Sequence, residues 1–257
     1  MKLVFLGTAG YHPNENRQTA CIAIPDIGLV LDAGTGLFRL RRYLRNNKNN
    51  KNDNLHLNIL LTHFHLDHTA GLTYLYDVLR GRYDKVKVTV YGMNGIKSIS
   101  KHLFSSALFP IRIEEHPFSF KLRKIKNKFS VEKAIVYTQN FEHKGGVVGY
   151  RVEHDGKTIV YITDTKAQLT EKSVNFASNA DLLIHECYYL SHQKQLAEKN
   201  QHSYTTLVAK YAKKAKVKKL ALFHFNPLEP RIQKFDVEAR IIFPNTISSY
   251  DGLEVNV

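Results

Sequence analysis

The most informative segment of this sequence is the heptapeptide Thr62-His63-Phe64-His65-Leu66-Asp67-His68, an H-x-H-x-D-H pattern. It follows the apolar run LHLNILL at residues 55–61, which is typical of a buried strand, and it precedes a segment with helical spacing. Three imidazoles and a carboxylate this close together would destabilise a fold if they were buried without partners. Imidazole nitrogen and carboxylate oxygen are ligands of zinc and similar divalent cations. The turn therefore predicts a metal site, with a polar capping turn as the alternative.

Further histidines and aspartates lie at the ends of other apolar runs. His143 follows IVYTQNF, Asp164 ends TIVYITD, and His224 lies at the end of LALFHF. Taken singly, each is better explained as an ordinary strand-end residue. Strand ends are nevertheless where a rigid scaffold holds loop-borne site residues. Together with the heptapeptide, these positions suit two metals, with a carboxylate between them.

Composition limits the class of protein. Hydrophobic residues make up 43% of the 257 residues and aromatic residues 11%, so we expect a folded chain with a sizeable core. Cys21 and Cys187 are too few for a disulfide framework, and their apolar surroundings predict buried thiols. The opening MKLVFLGTAG holds too short an apolar run for a signal peptide, and no stretch is long enough to cross a bilayer. We expect a cytoplasmic protein without a membrane partner.

The net charge is strongly positive. Lys and Arg number 37 against 23 Asp and Glu, which gives +14. Such an excess is typical of nucleic-acid binding, and equally of a solvated surface rich in Lys and Asn. The basic runs at residues 121–128 and 213–219 are expected to frame the fold away from the metal ligands. A positive field attracts any anionic phosphodiester, large or small.

Strand and helix patterns alternate along the chain. Strands are predicted at residues 3–7, 19–25 and 28–32, a helix at 37–47, and an exposed low-complexity loop at 46–53. A helix is predicted at 95–108, a hairpin around Asp155-Gly156, and the last buried strand at KKLALFHF. This alternation predicts a single domain, residues 1–257, with helices packed outside two sheets.

The complete pattern resembles the metallo-β-lactamase superfamily, and the likeness runs from FLGTAG through LDAGTG to YDGLEV. The resemblance implies an α+β fold, a four-layer αββα sandwich that holds two divalent metal ions, Zn²⁺ foremost and Mn²⁺ as the alternative. By the same resemblance, the first metal is held by His63, His65 and His143, the second by Asp67, His68 and His224, and Asp164 bridges them. Asp32, in GLVLDAGTG, resembles the aspartate that supports these ligands from behind.

Three features are similar to the ribonuclease Z-like branch of this superfamily. They are ITDT at residues 162–165, GGVVGYRVE after His143, and the pair Glu186 and His202 in LIHECYY and NQHSYTT. That branch hydrolyses phosphodiesters and is commonly homodimeric, so the resemblance implies a homodimer and attack by a metal-bound hydroxide that Asp67 orients. It further implies that His202 is the general acid and that Glu186 holds its tautomer. An exposed Glu and His without contact is the alternative for this pair.

The sequence departs from ribonuclease Z in one respect that concerns the substrate. Asp164 follows His143 by only 21 positions, and a single hairpin fills the interval in which bacterial enzymes carry a tRNA-binding arm. Armless relatives include the cyclic phosphodiesterase of phosphonate breakdown and the anti-Pycsar enzymes, and GTAGYHPNENRQTAC looks more like the latter.

We therefore expect a 3′,5′-cyclic nucleotide phosphodiesterase that yields nucleoside monophosphates, with signalling nucleotides of antiphage defence as candidate substrates. The alternative is a ribonuclease Z-type endonuclease that cleaves the 3′ ends of tRNA precursors. A nucleotide-binding protein without activity is a third hypothesis. Candidates for lining the pocket, or otherwise for a plain surface loop, are Tyr11, His12, Asn14 and Arg17. Tyr188 and Tyr189 are candidates for stacking on a base, or otherwise for the core.

Overall fold

The computed structural model describes residues 1–46 and 55–257. The predicted loop at residues 46–53 lies outside this part of the chain, except for Asn46, which ends a helix. The strands are β1 (Lys2–Gly7), β2 (Cys21–Ile24), β3 (Leu29–Leu31), β4 (Leu55–Leu60), β5 (Val86–Gly92), β6 (Ser119–Lys124), β7 (Lys128–Val131), β8 (Ala134–Phe141), β9 (Val147–His154), β10 (Lys157–Ile162), β11 (Leu182–Glu186), β12 (Leu220–Phe223), β13 (Thr246–Ser248) and β14 (Glu254–Asn256).

Helices of both the α and 3₁₀ types connect these strands. The α-helices are α1 (Leu40–Asn46), α2 (Leu66–Thr69), α3 (Leu75–Val78), α4 (Ile96–Leu103), α5 (Glu171–Ala177), α6 (Lys194–Lys199), α7 (Thr205–Lys214) and α8 (Gln233–Arg240). The 3₁₀ helices are Pro25–Ile27, Thr35–Arg39, Ala70–Tyr74, Tyr83–Lys85, Ile113–Glu115 and Ser191–Gln193. In the described ranges, no helix combines the length and apolar character needed to cross a membrane.

The strands of the described residues form two seven-stranded mixed sheets. Their orders are β14-β1-β2-β3-β4-β5-β6 and β13-β12-β11-β10-β9-β8-β7. Strands β3 to β6 run parallel in the first sheet, as do β10 to β13 in the second. The carboxyl ends of parallel strands share one edge of a sheet, which is where open sheets place their sites.

Three apolar clusters account for the layers. In β1, Leu3 and Phe5 face the space between the sheets, whereas Val4 and Leu6 face the helices outside. A strand buried on both faces needs an uninterrupted apolar run, and LVFL provides one. A third cluster joins the outer face of the second sheet to α5, α7 and α8. The predicted four-layer αββα sandwich is confirmed, and both cysteines are buried as expected.

Several local predictions are confirmed or corrected by the structure. Asp155 and Gly156 have φ angles of 48° and 68°, as a type I′ hairpin turn between β9 and β10 requires. The helix predicted at residues 95–108 ends at Leu103, where the backbone of the buried Phe104 leaves the helical conformation and its amide donates to the carbonyls of Ser100 and His102. The strand β12 is buried along its whole length, as predicted for the last buried strand, and the short edge strands β13 and β14 that follow it are only partly buried.

The prediction that both basic runs lie away from the ligands is wrong for one of them. Gly92 and Lys124 are paired in register, so the run at residues 121–128 reaches the edge at which β4 also ends. The run at 213–219 instead precedes β12 and therefore lies at the opposite edge. The register between neighbouring strands decides at which edge of the sheet each basic run lies, and composition alone does not reveal that register.

Candidate metal centre

The second predicted ligand set converges on a space of the size that one cation needs. Nε2 of His68 lies 3.2 Å from Nε2 of His224 and 3.1 Å from Oδ2 of Asp164. Nε2 of His224 lies 3.2 Å from the same Asp164 oxygen, and Oδ2 of Asp67 lies 3.3 Å from both imidazole nitrogens. Four ligands about 2.0–2.1 Å from a zinc ion in tetrahedral geometry are separated by about 3.3 Å. These residues therefore fit a divalent cation.

The first ligand set contains three imidazoles. Nδ1 of His65 lies 2.9 Å from Nε2 of His63 and 3.2 Å from Nε2 of His143. Oδ1 of Asp164 lies 4.0 Å from Nε2 of His63 and 3.9 Å from Nε2 of His143. Asp164 thus turns one oxygen to each set, which is the geometry of a bridging carboxylate. The structure brings all seven predicted ligands together in these two groups.

Asp32 determines which nitrogen of two of these rings is free. It is fully buried, and it accepts hydrogen bonds from the hydroxyl of Thr62 at 2.9 Å and from Nδ1 of His68 at 2.8 Å. Because the Thr62 proton goes to Asp32, the Thr62 oxygen accepts from Nδ1 of His63 at 3.1 Å. Nε2 of both imidazoles therefore keeps its lone pair for a metal.

Electrostatics favour the ligand forms of His63 and Asp164. At His68, burial acts to lower the pKa of the imidazole, but Asp67, Asp164 and Asp32 outweigh it and raise that pKa well above its ordinary value. Burial, reinforced by the charge of His68, holds the pKa of the His63 imidazole well below its ordinary value. Burial alone would raise the pKa of Asp164, but His224 and His68 outweigh it and hold that pKa well below its usual range. A neutral imidazole and an ionised carboxylate are the forms that bind a metal.

The backbone is strained where it presents these residues. Asp32, Asp164 and His224 follow β3, β10 and β12 with φ angles of 56°, 52° and 56°. Left-handed backbone is uncommon outside glycine and costs about 1–3 kcal/mol per residue at functional sites. The His224 ring also lies against Gly10 so closely that a Cβ at position 10 would overlap the imidazole.

The predicted pair of Glu186 and His202 forms beside the ligands. Glu186, at the end of β11, is fully buried and accepts from Nδ1 of His202 at 2.8 Å and from the Ser203 amide at 3.2 Å. Burial acts to lower the pKa of His202, but the charge and hydrogen bond of Glu186 outweigh it and raise that pKa to about 9. The His202 ring stacks on Tyr188, with centroids 4.8 Å apart. The raised pKa favours the protonated form of this imidazole, at the rim of the candidate metal site.

A pocket of about 540 Å³ gives access to these residues. Its lining includes His65, His143 and His202 together with Tyr11, Tyr188 and Tyr189. Tyr11 is 76% exposed, and its amide donates to Oδ2 of Asp67 at 2.8 Å. Tyr189 is largely buried, and its hydroxyl accepts from Asn200.

Three of the four residues predicted in the N-terminal loop do not line this pocket. Arg17 is buried and donates to the carbonyls of Asn226 and Glu229 at 3.1 Å and 2.8 Å. Asn14 donates to the Pro227 carbonyl at 2.7 Å, and the exposed His12 contacts the neighbouring Pro13 carbonyl. The hydrogen bonds of Asn14 and Arg17 therefore hold the loop against residues 226–229.

Sequence reasoning missed three supporting residues. Thr62 stands inside the heptapeptide but was not assigned a role, and Gly10 makes room for His224. Tyr161 donates its hydroxyl to Asp32 at 2.8 Å across the interior of the sandwich. The signal for Gly10 was the FLGTAG segment itself. Tyr161 looks like any other inward-facing residue of an apolar strand.

The model of the beta-lactamase superfamily domain matches residues 29–225, which include all seven proposed ligands. The chain belongs to the beta-lactamase superfamily. Its curated relatives include Ribonuclease Z of Microcystis aeruginosa, 26% identical over 317 positions with 100% of this chain and 96% of that protein covered. Ribonuclease Z of Nitrosopumilus maritimus is 27% identical over 305 positions, with both chains fully covered. The predicted resemblance to the superfamily and to its ribonuclease Z-like branch is confirmed.

Solved structures share the fold over the whole chain. YhfI of Bacillus subtilis, a metallo-beta-lactamase fold protein, has a TM-score of 0.78 at 20% identity, with 99% and 98% of the two chains covered. Human tRNase Z, short form, has a TM-score of 0.75 at 21% identity, with 100% and 99% covered. The Microcystis comparison spans 317 positions against the 257 residues of this chain, so at least 60 positions have no counterpart here.

Proposed function

We propose that this protein is a metal-dependent phosphodiesterase of the ribonuclease Z type that cleaves RNA, with the 3′ ends of tRNA precursors as the substrate. The observation that carries the phosphodiesterase proposal is the pair of the buried Glu186 and the partly exposed His202 beside two convergent ligand sets. Support for RNA as the substrate comes from the ribonuclease Z relatives, which match over the full length of this chain.

Seven side chains would hold the cofactor. We propose His63, His65 and His143 for one divalent ion and Asp67, His68 and His224 for the other, with Asp164 between them. When bound, such ions supply Lewis acidity and a water of lowered pKa. Zinc is the proposed ion because the donor set is imidazole and carboxylate, and manganese shares that preference.

The reaction also needs a proton for the leaving alkoxide oxygen. His202 is placed to supply it, because Nδ1 is committed to Glu186 and the pocket receives the other side of the ring. With a pKa of about 9, His202 is protonated at neutral pH, as a general acid must be. Asp67 is the residue that we propose orients the attacking water, since its carboxylate is fixed by the Tyr11 amide.

A second candidate is hydrolysis of 3′,5′-cyclic nucleotides to nucleoside monophosphates. It is favoured by the pocket of about 540 Å³, within the range of small-ligand sites, and by the 60 or more positions that this chain lacks. The likeness to anti-Pycsar enzymes belongs to this candidate and stays a prediction.

A parallel assay separates the two candidates. The purified chain, loaded with Zn²⁺ or Mn²⁺, is incubated with a precursor tRNA carrying a 3′ trailer and with cyclic purine and pyrimidine mononucleotides. We expect chelator-sensitive cleavage of the RNA, with kcat/KM above that for the cyclic nucleotides and strongly reduced in His202→Ala. The reverse ranking would replace RNA by the cyclic nucleotide as the substrate. Absence of metal-dependent turnover on both would refute the phosphodiesterase proposal.

The assembly state is a separate proposal. We propose a homodimer, as the resemblance to the ribonuclease Z-like branch implies, and sedimentation of the purified chain at several concentrations tests it directly.

A further inference from the structure

We propose that a basic cleft beside the metal centre binds the sugar-phosphate backbone of RNA and leads it to the site of cleavage. The cleft, here called the β6–β8 cleft, is formed by the segment after β5, the connection from β6 to β7, and the end of β8. This inference rests on the proposed function and extends it by identifying the surface that would hold a large substrate.

The position of the cleft follows from strand register. Leu60 of β4 is paired with Tyr91 of β5, and Gly92 of β5 is paired with Lys124 of β6. These parallel strands end at one edge, and β4 leads directly into the ligand turn. The amide of Ile125 donates to the Gly92 carbonyl at 2.9 Å, which holds the start of the β6–β7 connection at that edge.

The opposite wall of the cleft continues into a ligand loop. Asn140 lines the cleft and stands three positions before His143, a proposed ligand. Met93, also in the lining, lies next to Gly146 of the same loop, and the Gly146 amide donates to the His143 carbonyl at 2.8 Å. The β6–β8 cleft therefore adjoins the first ligand set.

The lining is suited to an anionic, hydrogen-bonding ligand. Lys124 and Lys126 line this volume of about 280 Å³ together with the amide side chains of Asn94, Asn127 and Asn140. Both lysines are exposed, and within the described ranges neither is paired with a carboxylate, whereas Lys2 and Lys218 are. Lysine and asparagine side chains are common donors to phosphate and sugar oxygens of nucleic acids.

Protection of a sheet edge is the simpler explanation for lysines here, since β6 and β7 are edge strands of the two sheets. It accounts for Lys121 and Lys124, which both lie within β6. It does not account for Lys126, which lies between the strands, nor for three amide side chains in a concave surface. A mononucleotide bound in the metal pocket needs no contact with the adjoining β6–β8 cleft, whereas a polynucleotide extends past the cleaved bond and can occupy it.

The test compares two variants that remove the same total charge. Lys124→Gln/Lys126→Gln neutralises the β6–β8 cleft, and Lys210→Gln/Lys213→Gln neutralises two exposed lysines of α7 outside the cleft. RNA binding is measured by fluorescence anisotropy between about 50 and 200 mM salt, the range over which phosphate contacts are most visible. Cleavage of bis(p-nitrophenyl) phosphate, a small diester, is measured in parallel.

We expect the cleft variant to bind precursor RNA more weakly, with the slope of log K against log salt reduced by about 1.4, which is the effect of two lost contacts to a single strand. The α7 variant is expected to keep the wild-type slope. Both should cleave the small diester within twofold of wild type.

Equal slopes for the two variants would overturn the cleft proposal while leaving small-diester cleavage, and hence the phosphodiesterase proposal, intact. If the wild-type protein did not cleave the small diester, this would instead count against the proposed function. The anisotropy slopes would still show whether the cleft binds RNA. If the cleft variant lost affinity for phosphatidylserine vesicles but not for RNA, a membrane surface would replace RNA as the partner.

Discussion

Replacing Asp32 by Asn is expected to weaken metal binding without changing the shape of the core. Asp32 contacts no proposed metal position itself; it accepts from the Thr62 amide at 2.7 Å, the Thr62 hydroxyl, Nδ1 of His68 and the Tyr161 hydroxyl. Asparagine has the same size but replaces one acceptor oxygen by a donor amide. The His68 Nδ1 proton or the Tyr161 proton then faces another donor in a fully buried space.

The magnitude follows from that mismatch. A buried donor without a partner costs about 1–3 kcal/mol. If His68 avoids this cost by moving its proton to Nε2, the nitrogen that faces Asp67, Asp164 and His224 is no longer free for a metal. Because only the metal-free state can avoid the cost in this way, the metal-bound state is penalised relative to it, by about 5- to 150-fold in affinity at about 1.4 kcal/mol per factor of ten. The second metal, which His68 would hold, should be affected more than the first.

The assay is a competitive titration of the metal-free chain with Zn²⁺ against a fluorescent chelator, which resolves two sites without any measurement of activity. Tyr161→Phe is the matched control, because it removes one donor to Asp32 and leaves both oxygens able to accept. We expect its affinities to stay within a few-fold of wild type. Unchanged affinity of both sites in Asp32→Asn would refute the argument that Asp32 sets the tautomer of His68.

Three further results are expected. In Glu186→Gln, loss of the carboxylate charge should lower the pKa of His202 from about 9 toward its ordinary value of 6.5. The alkaline limb of the pH–rate profile should therefore move to lower pH. If the limb did not move, His202 would be excluded as the general acid. Gly10→Ala should displace the His224 ring and weaken the second metal at least tenfold, as measured by the same titration, whereas Gly81→Ala, where a Cβ meets open space, should not. Saturation of a site at about 100 times its Kd should add about 2.7 kcal/mol of stability, so chelation should lower Tm by about 5–11 °C; an unchanged Tm would argue against bound metal.

The layers and the clustering of the proposed ligands were predictable from sequence for a common reason. Apolar runs such as LVFL are continuous because both faces of the strand are buried, and the polar residues that interrupt such runs stand out against them. His143, Asp164 and His224 could be found this way although they lie in distant parts of the chain. The density of the heptapeptide then showed that they belong together.

The residues and backbone conformations that hold the proposed ligands in place could not be predicted from the sequence in this way. Tyr161 and Asp32 are 129 positions apart and meet only because two sheets pack face to face with one particular alignment. The left-handed backbone at Asp32 and His224 likewise depends on the packed strands around it, since Asp and His adopt this conformation more often than most residues but still uncommonly. Hydrogen-bond partners across layers depend on register and packing, which no local pattern encodes.

The net positive charge is informative only once the positions of the basic residues in the fold are known. The two basic runs have similar composition, yet register carries one to the metal edge and leaves the other at the far edge, where Lys218 pairs with Asp181 at 2.8 Å. A general positive field would serve any phosphodiester equally and needs no particular location. Lys124 and Lys126 have no carboxylate partner among the described residues and line, with amide donors, a concave surface that adjoins the first ligand set, which favours a substrate that extends beyond one nucleotide. On this argument the absence of 60 or more positions found in a ribonuclease Z relative does not by itself require a small substrate, because this fold has its own candidate surface for a long one.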